Sequence, residues 1–225
     1  MRTAPQFAST VPAAAASVDE RMAFLRKVYG LLSLSLFLAA VASWMTIRDE
    51  NFLSVVYQNY MVFIIVEFAM LFFVFWARKR ETLGLVALFS FTMLTGVTTA
   101  PVVYIYSGQT VTNAAFLTGI IFAGLSFYTI TSKRDFSFMG GMLSTGLIIL
   151  IVGGLLNVFF FKSPAISFLY SAAGAFLFSG FIIYDTFNIL NRYPTDEYIS
   201  ATLSLYLDIL NLFLLLLRLL GGGRD

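Results

Sequence analysis

Three acidic residues lie inside long hydrophobic segments of this 225-residue chain. Glu67 lies near the middle of MVFIIVEFAMLFFVFW, Asp208 lies near the middle of ATLSLYLDILNLFLLLLRLL, and Asp185 lies inside GFIIYDTFNIL. An ionised side chain at the centre of a bilayer costs about 2.5–3.5 kcal/mol on insertion scales, so such residues usually face the bundle interior and mark ion or proton sites. The chemistry that these residues predict is transport of a cation or a proton.

The composition is that of an integral membrane protein. Hydrophobic residues make up 59% of the sequence and charged residues 12%, with a mean hydropathy of +0.87, which leaves too little polar surface to cover a soluble globule. Histidine and cysteine are both absent, which excludes disulfides, most zinc sites and nucleophiles that need an imidazole base. We therefore expect neither enzyme activity nor a cofactor. The net charge of +2 comes without a basic tract of the kind that binds nucleic acid.

Hydrophobic segments of membrane-spanning length predict an all-α bundle of seven transmembrane helices. We place them at about 28–46, 54–77, 83–106, 112–131, 138–161, 165–190 and 198–220. The last segment is long enough to cross, although a re-entrant form with six spans also fits the charge distribution. Residues 1–20 are rich in Ala, Ser and Pro and are expected to form a flexible tail, whereas residues 21–225 form one transmembrane domain. Ser17 and Glu20 fit a capping box that starts a helix near Val18.

The basic residues predict the orientation. Of the 14 Lys and Arg residues, ten fall on the side of the N terminus and four on the other side, so the positive-inside rule places the N terminus in the cytoplasm. The first twenty residues contain no apolar core of signal-peptide length, and the loops are short. A bacterial inner membrane is the expected location.

This topology also predicts the depth of the acids. Glu67 and Asp208 lie near the middle of the membrane, and Asp185 lies roughly 8 Å from the inner end of its helix. Antiparallel helices joined at the polar turn 191–197 would bring Asp185 and Asp208 together. Two close carboxyl groups tend to share one proton, so the pair can sense pH without histidine, and their deprotonated oxygens suit Ca²⁺. Acids that only cross-link helices as neutral donors remain an alternative, most of all for Glu67.

Two further groups of polar residues have alternative interpretations. Arg78 follows Glu67 by eleven residues on the same helix face and can extend towards Asp185, although ARKRE is also typical of a positive-inside anchor. Four threonines of the third span either line a polar path or bond helix to helix. They are Thr92, Thr95, Thr98 and Thr99.

Several of these segments also resemble a known family. GFIIYDTFNIL with the following YISATLSLYLDILNLFLLLLRLLG, VEFAMLFFVFWARKRE in the second span and TSKRDFSFMG after the fourth span resemble the Bax inhibitor family, also called the transmembrane Bax inhibitor motif family. The resemblance covers nearly the whole chain after residue 20. It implies a seven-helix bundle, a last helix surrounded by the other six, and a pH-sensitive Ca²⁺ leak.

The resemblance also assigns roles to residues. It implies that Asp185 and Asp208 are the paired aspartates that sense pH and meet the calcium ion, and that Arg78 is the latch that holds Asp185 in the closed state. Glu67 is a candidate for the ion pathway. The alternative function is regulation, in which the membrane protein binds a membrane-anchored AAA protease or a stress or cell-death partner through residues 1–20. Deletion of that tail would then abolish regulation and leave an ion leak intact. The sequence leaves the oligomeric state open, and a monomer is compatible with it.

Overall fold

The fold is an all-α bundle, as the sequence predicts. The computed structural model describes residues 12–132, 134–161 and 163–222. Within them the chain forms eight α-helices, seven of which are long and apolar enough to cross a membrane. The helices are α1 (Val18–Arg48), α2 (Glu50–Gln58), α3 (Tyr60–Ala77), α4 (Glu81–Tyr104), α5 (Gly108–Thr131), α6 (Met139–Leu156), α7 (Pro164–Asn191) and α8 (Tyr198–Gly221).

The capping box at the start of α1 is confirmed. The Ser17 backbone N–H donates to Glu20 Oε2 at 3.0 Å, and the Glu20 N–H donates to Ser17 Oγ at 3.3 Å. These reciprocal bonds satisfy two backbone donors that a helix start leaves free. Helix α1 therefore begins at Val18 and continues without a break through the predicted first span.

The predicted second span, 54–77, is in fact two helices. Asp49 accepts a hydrogen bond from the Phe52 N–H at 3.0 Å and so caps the short helix α2. Asn59 ends α2, because its backbone leaves the helical region and its side-chain amide donates to the Val55 carbonyl at 2.9 Å. The membrane-spanning part starts at Tyr60. The predicted fifth span also changes form, since α6 ends at Leu156 and a π-helical turn follows at Asn157–Phe161.

The last helix, α8, is one of the two most enclosed helices of the bundle, which agrees with the central position that the resemblance implied. Half of its most apolar stretch is buried, as in α4, compared with about a tenth for α3 and α6. Its first half packs in a cluster with residues of α1, α3 and α4, and its second half packs with residues of α5 and α7. Most of the polar residues that α8 carries are therefore placed inside the protein, whereas Arg218 in its last turn is exposed.

Helices α1 and α4 make the most extensive helix pair, and a glycine permits their close approach. A Cβ built on Gly96 would lie 2.9 Å from Ala39 Cα and would overlap the Ala39 carbonyl oxygen. Small residues at such crossings let two backbones come together in a membrane, where packing rather than the hydrophobic effect holds helices.

Gly96→Ala should destabilise the bundle. The added methyl group meets backbone atoms of Ala39 that cannot rotate away, and overpacking of this kind costs roughly 1–3 kcal/mol. Thermal unfolding of the purified protein in detergent should show a lower midpoint temperature. Gly119→Ala is the matched control, since its added Cβ would lie in open space on α5. Equal midpoint temperatures for the two variants would contradict the close contact of α1 with α4.

Candidate functional site

The structure brings Asp185 and Asp208 together. Asp185 lies six residues before the end of α7, about 9 Å along the helix axis, and Asp208 lies ten residues after the start of α8, about 15 Å. Because α7 and α8 run antiparallel, the two carboxyl groups meet within hydrogen-bonding reach of each other. Asp208 is only 5% exposed, and Asp185 is partly buried. We call the two residues the aspartate pair.

Several buried polar atoms lie around the aspartate pair. The Asn188 side chain lies beside Asp185. Among the described residues, Asp208 Oδ2, Asn188 Oδ1 and Thr186 Oγ1 are buried without a hydrogen-bond partner. Each unpaired buried group costs roughly 1–3 kcal/mol, so these atoms favour a bound water or cation. Tyr29 of α1 reaches this region beside Thr186.

The oxygen atoms around the aspartate pair are of a type that Ca²⁺ binds, but few of them converge. Calcium takes six to eight oxygen ligands, including carboxylates, amide oxygens and water. The aspartate pair and Asn188 Oδ1 supply such oxygens. Within the described part of the chain, no group of three or more acidic side chains converges. The described side chains therefore do not form a complete coordination shell for this ion.

Arg78 contacts the start of α8 and not Asp185. Its guanidinium lies 3.5 Å from Glu197 Oε2 and donates to Ser200 Oγ at 3.3 Å. This is the one salt bridge between described residues. Tyr193 lies near Asp185 and also near Arg78 and Glu197. The ion pair of Arg78 with Asp185 that the sequence suggested is thus not formed in this conformation, because Arg78 ends α3 nearer to the first turn of α8.

The first turn of α8 is held from three sides. Besides the Arg78 contacts from α3, the Tyr198 hydroxyl donates to Glu81 Oε1 of α4 at 3.0 Å. From α1, the Lys27 ammonium lies 4.7 Å from the centre of the Tyr198 ring. We call these contacts, between Lys27, Arg78, Glu81 and the turn formed by Glu197, Tyr198 and Ser200, the α8 clamp. The clamp fixes the end of the helix that carries Asp208.

The described part of the N-terminal tail packs against the connection between α7 and α8. Ala13, in the 3₁₀ turn Ala13–Ala15, is fully buried, and its backbone N–H donates to the Tyr193 carbonyl at 2.9 Å. Residues 12–16 therefore form an arm on the connection between α7 and α8, where the sequence suggested flexibility. Residues 1–11 lie outside the described residues.

Glu67 occupies a separate site at a depth similar to that of Asp208. It lies ten residues before the end of α3, about 15 Å along the helix axis. Thr98 of α4 donates a hydrogen bond to Glu67 Oε2. Both residues line a cavity of about 310 Å³, which we call the Glu67 cavity, together with Tyr60 and Asn211. Glu67 thus has a partner that the sequence interpretation did not name.

The threonines of α4 form hydrogen bonds both within their own helix and to other helices. The hydroxyls of all four threonines donate to a carbonyl three residues earlier in their own helix. Thr95 also shares a hydrogen bond with the Tyr206 hydroxyl of α8, and Thr98 reaches Glu67. Two of the four therefore connect helices, and Thr98 also lines the Glu67 cavity.

The sequence interpretation missed a continuous polar stripe on α8, although its spacing was visible. The stripe consists of Glu197, Ser200, Ser204, Asp208, Asn211 and Arg218. Successive members are three, four or seven residues apart, so at about 100° per residue they occupy one face of the helix. Glu197 and Ser200 meet Arg78, Ser204 lies 3.1 Å from the Tyr193 hydroxyl, and Asp208 meets Asp185.

A double-mutant cycle of Arg78→Gln and Glu197→Gln should give a small coupling energy, below about 1 kcal/mol, because the pair is partly exposed to solvent. The coupling energy should fall further as the salt concentration rises, since salt screens the two charges. The two side chains are 34% and 23% exposed. Thermal unfolding at low and high ionic strength measures the coupling. Arg80→Gln is the control, since Arg80 stacks on Trp76. Coupling of Arg78 to Asp185→Asn, with none to Glu197→Gln, would show that Arg78 pairs with Asp185 instead.

The comparisons with known proteins agree with this architecture. The family model described as Inhibitor of apoptosis-promoting Bax1 matches residues 21–225. Protein lifeguard 4 of Mus musculus is 40% identical over 92% of this chain and 88% of its own length. An uncharacterised membrane protein of Vibrio cholerae is 41% identical over 88% of each chain. Bax inhibitor 1 of Schizosaccharomyces pombe is 36% identical over 96% of this chain and 82% of its own length. The chain therefore belongs to the Bax inhibitor family of integral membrane proteins.

Proposed function

We propose that the protein is a pH-sensitive calcium leak channel whose ion path follows the polar stripe of α8. The observation that carries the proposal is the placement of this stripe on an enclosed helix, with the aspartate pair at membrane depth. A polar face buried in a membrane protein is costly unless it serves a packing or a transport purpose. Calcium is the cargo, and no catalytic step or cofactor is part of the proposal.

The aspartate pair supplies the response to pH. Two carboxyl groups within hydrogen-bonding reach hold one proton between them more readily than none, since two adjacent negative charges in a medium of low dielectric repel strongly. The number of protons on the pair sets the charge that an approaching Ca²⁺ meets. Protonation removes ligand charge and relieves the repulsion between the two carboxyl groups.

Arg78 acts as the latch through the α8 clamp. Its bonds to Glu197 and Ser200 attach α3 to the first turn of the helix that bears Asp208. Tyr193 links this turn to the aspartate pair, because it lies near Asp185 and its hydroxyl meets Ser204. Opening of the channel then requires Arg78 to leave the first turn of α8. Once released, the Arg78 guanidinium can pair with Asp185 instead. Glu67 and its cavity provide the approach to the stripe from the opposite end of the bundle.

A second candidate function is regulation through a protein partner. The family description refers to inhibition of a cell-death protein, and the arm at residues 12–16 lies on the turn between the two aspartate helices. A partner that binds the N-terminal segment, such as a membrane-anchored protease or a stress or cell-death protein, would act on that turn. This function needs no ion flux, so the two candidates can be separated.

Reconstituted protein should carry Ca²⁺ into liposomes at a rate that depends on pH when the pH is scanned from about 5 to 8, because exchange of the shared carboxyl proton changes the charge of the pair. Asp185→Asn and Asp208→Asn should each flatten this pH profile, because one member of the pair can no longer titrate. Arg78→Gln should raise the flux at the pH where the native protein conducts least. A Ca²⁺-sensitive dye inside the liposomes gives the rate.

Asp135→Asn is the matched control for this experiment. Asp135 is an exposed acid in the connection before α6, and its carboxylate bonds the backbone N–H of Ser137 at 2.8 Å, which lowers its pKa. It should keep the native profile. Flux equal to that of empty liposomes would refute the leak and favour the regulator, and a profile unchanged in both pair variants would refute the sensor.

We also propose that the N terminus is cytoplasmic in a bacterial inner membrane. The chain contains no cysteine, so single cysteines introduced at exposed positions report the orientation directly. Lys79→Cys, between α3 and α4, should react with a membrane-impermeant maleimide only after cell lysis. Gly108→Cys, at the start of α5, should react in intact cells whose outer membrane has been permeabilised. The reverse pattern would contradict the orientation.

A further inference from the structure

The outer surface of α6 and α7 contains a long apolar groove away from the polar stripe. It has a volume of about 710 Å³ and is lined mainly by these two helices, with one contribution from α5. Its walls face the surrounding membrane, since Ile149 is 66% exposed, Leu169 65% and Phe176 84%. Small residues also line the groove, including Gly153 of α6 and Ala173 of α7. We call this feature the α6–α7 groove.

The length of the groove matches the acyl chain of a phospholipid. On α6 the groove extends from Met139 to Gly153, about 21 Å along the helix axis. One leaflet of the hydrocarbon core is about 15 Å thick, so an acyl chain fits along the groove.

One end of the groove carries positive charge. Phe136 packs edge-on against Phe187 at 6.0 Å, just beyond the lining residues at the start of α6 and near the end of α7. The Arg192 guanidinium lies 5.9 Å from the centre of the Phe187 ring. Arg134, two residues before Phe136, is exposed, and Asp135 is the acid that faces Arg192. With two arginines and one acid, this end of the groove, which we call its mouth, carries a net positive charge.

We propose that the α6–α7 groove binds one phospholipid with an anionic headgroup. An acyl chain lies along the groove, and the phosphate meets Arg134 and Arg192 at the mouth. The apolar walls match the chain, and the arginines provide the charge-assisted hydrogen bonds that a phosphate accepts. This site is independent of the proposed ion leak, because it lies on the lipid-facing side of α6 and α7.

Native mass spectrometry of the delipidated full-length protein, with phosphatidylglycerol or phosphatidylcholine added back, tests the proposal. The native chain should retain one phosphatidylglycerol per protein and bind phosphatidylcholine about tenfold more weakly. Gly153→Leu should lower the phosphatidylglycerol occupancy about tenfold, because the new side chain enters the groove. A Cβ on Gly153 meets no atom within 4 Å, so the variant is expected to fold. Ala173→Phe blocks the same groove from α7 and provides a second variant.

Gly119→Leu is the matched control, since a Cβ there also has open space and Gly119 lies on α5 outside the groove. It should bind phosphatidylglycerol as the native chain does. Arg134→Gln combined with Arg192→Gln should remove the preference for phosphatidylglycerol. Equal loss in the Gly119 variant, or equal retention of both lipids by the native chain, would overturn the proposal. A native dimer that Gly153→Leu converts to monomer would also overturn it, because a second copy would then occupy the groove.

Discussion

The need to satisfy polar groups inside a membrane governs this structure. Hydrocarbon offers no hydrogen bonds, so each polar side chain at depth requires a partner within the protein. Helix α8 carries polar residues along one whole face, and it is also an enclosed helix of the bundle. Helices α3 and α6, by contrast, are largely apolar and expose most of their surface. The position of each helix follows from how much polarity it has to hide.

Enclosure of α8 creates a connected set of contacts along its length. At one end the α8 clamp attaches the helix to α1, α3 and α4. Further along, the stripe meets α7 through the aspartate pair, and the opposite part of the helix borders the Glu67 cavity. A change of charge at the pair would therefore act on a helix that five other helices contact. In the proposed channel, the residues that are hidden from lipid are also those that respond to pH.

The seven-helix fold could be predicted because long apolar segments leave few alternatives. The meeting of Asp185 with Asp208 followed from their similar distances to one polar turn. The break at Asn59 could not be read from hydrophobicity, since it depends on a side-chain bond within its own helix. The partner of Arg78 depends on how α3 is rotated relative to α8, which the sequence does not state. The polar stripe of α8 could have been recognised in the sequence, but only by extending the three- and four-residue spacing beyond Asp208.

The hydrogen bond between the Ala13 N–H and the Tyr193 carbonyl has a consequence for biogenesis. It joins residues that are 180 positions apart, so its acceptor emerges from the ribosome only after six of the seven spans have been made. The arm has no docking place while the first helices insert, although it precedes them in the chain. Its docking therefore belongs to the late steps of assembly, when α7 and the turn after it are in place. An arm that is synthesised before α1 therefore docks only after α7, when most of the bundle has been inserted.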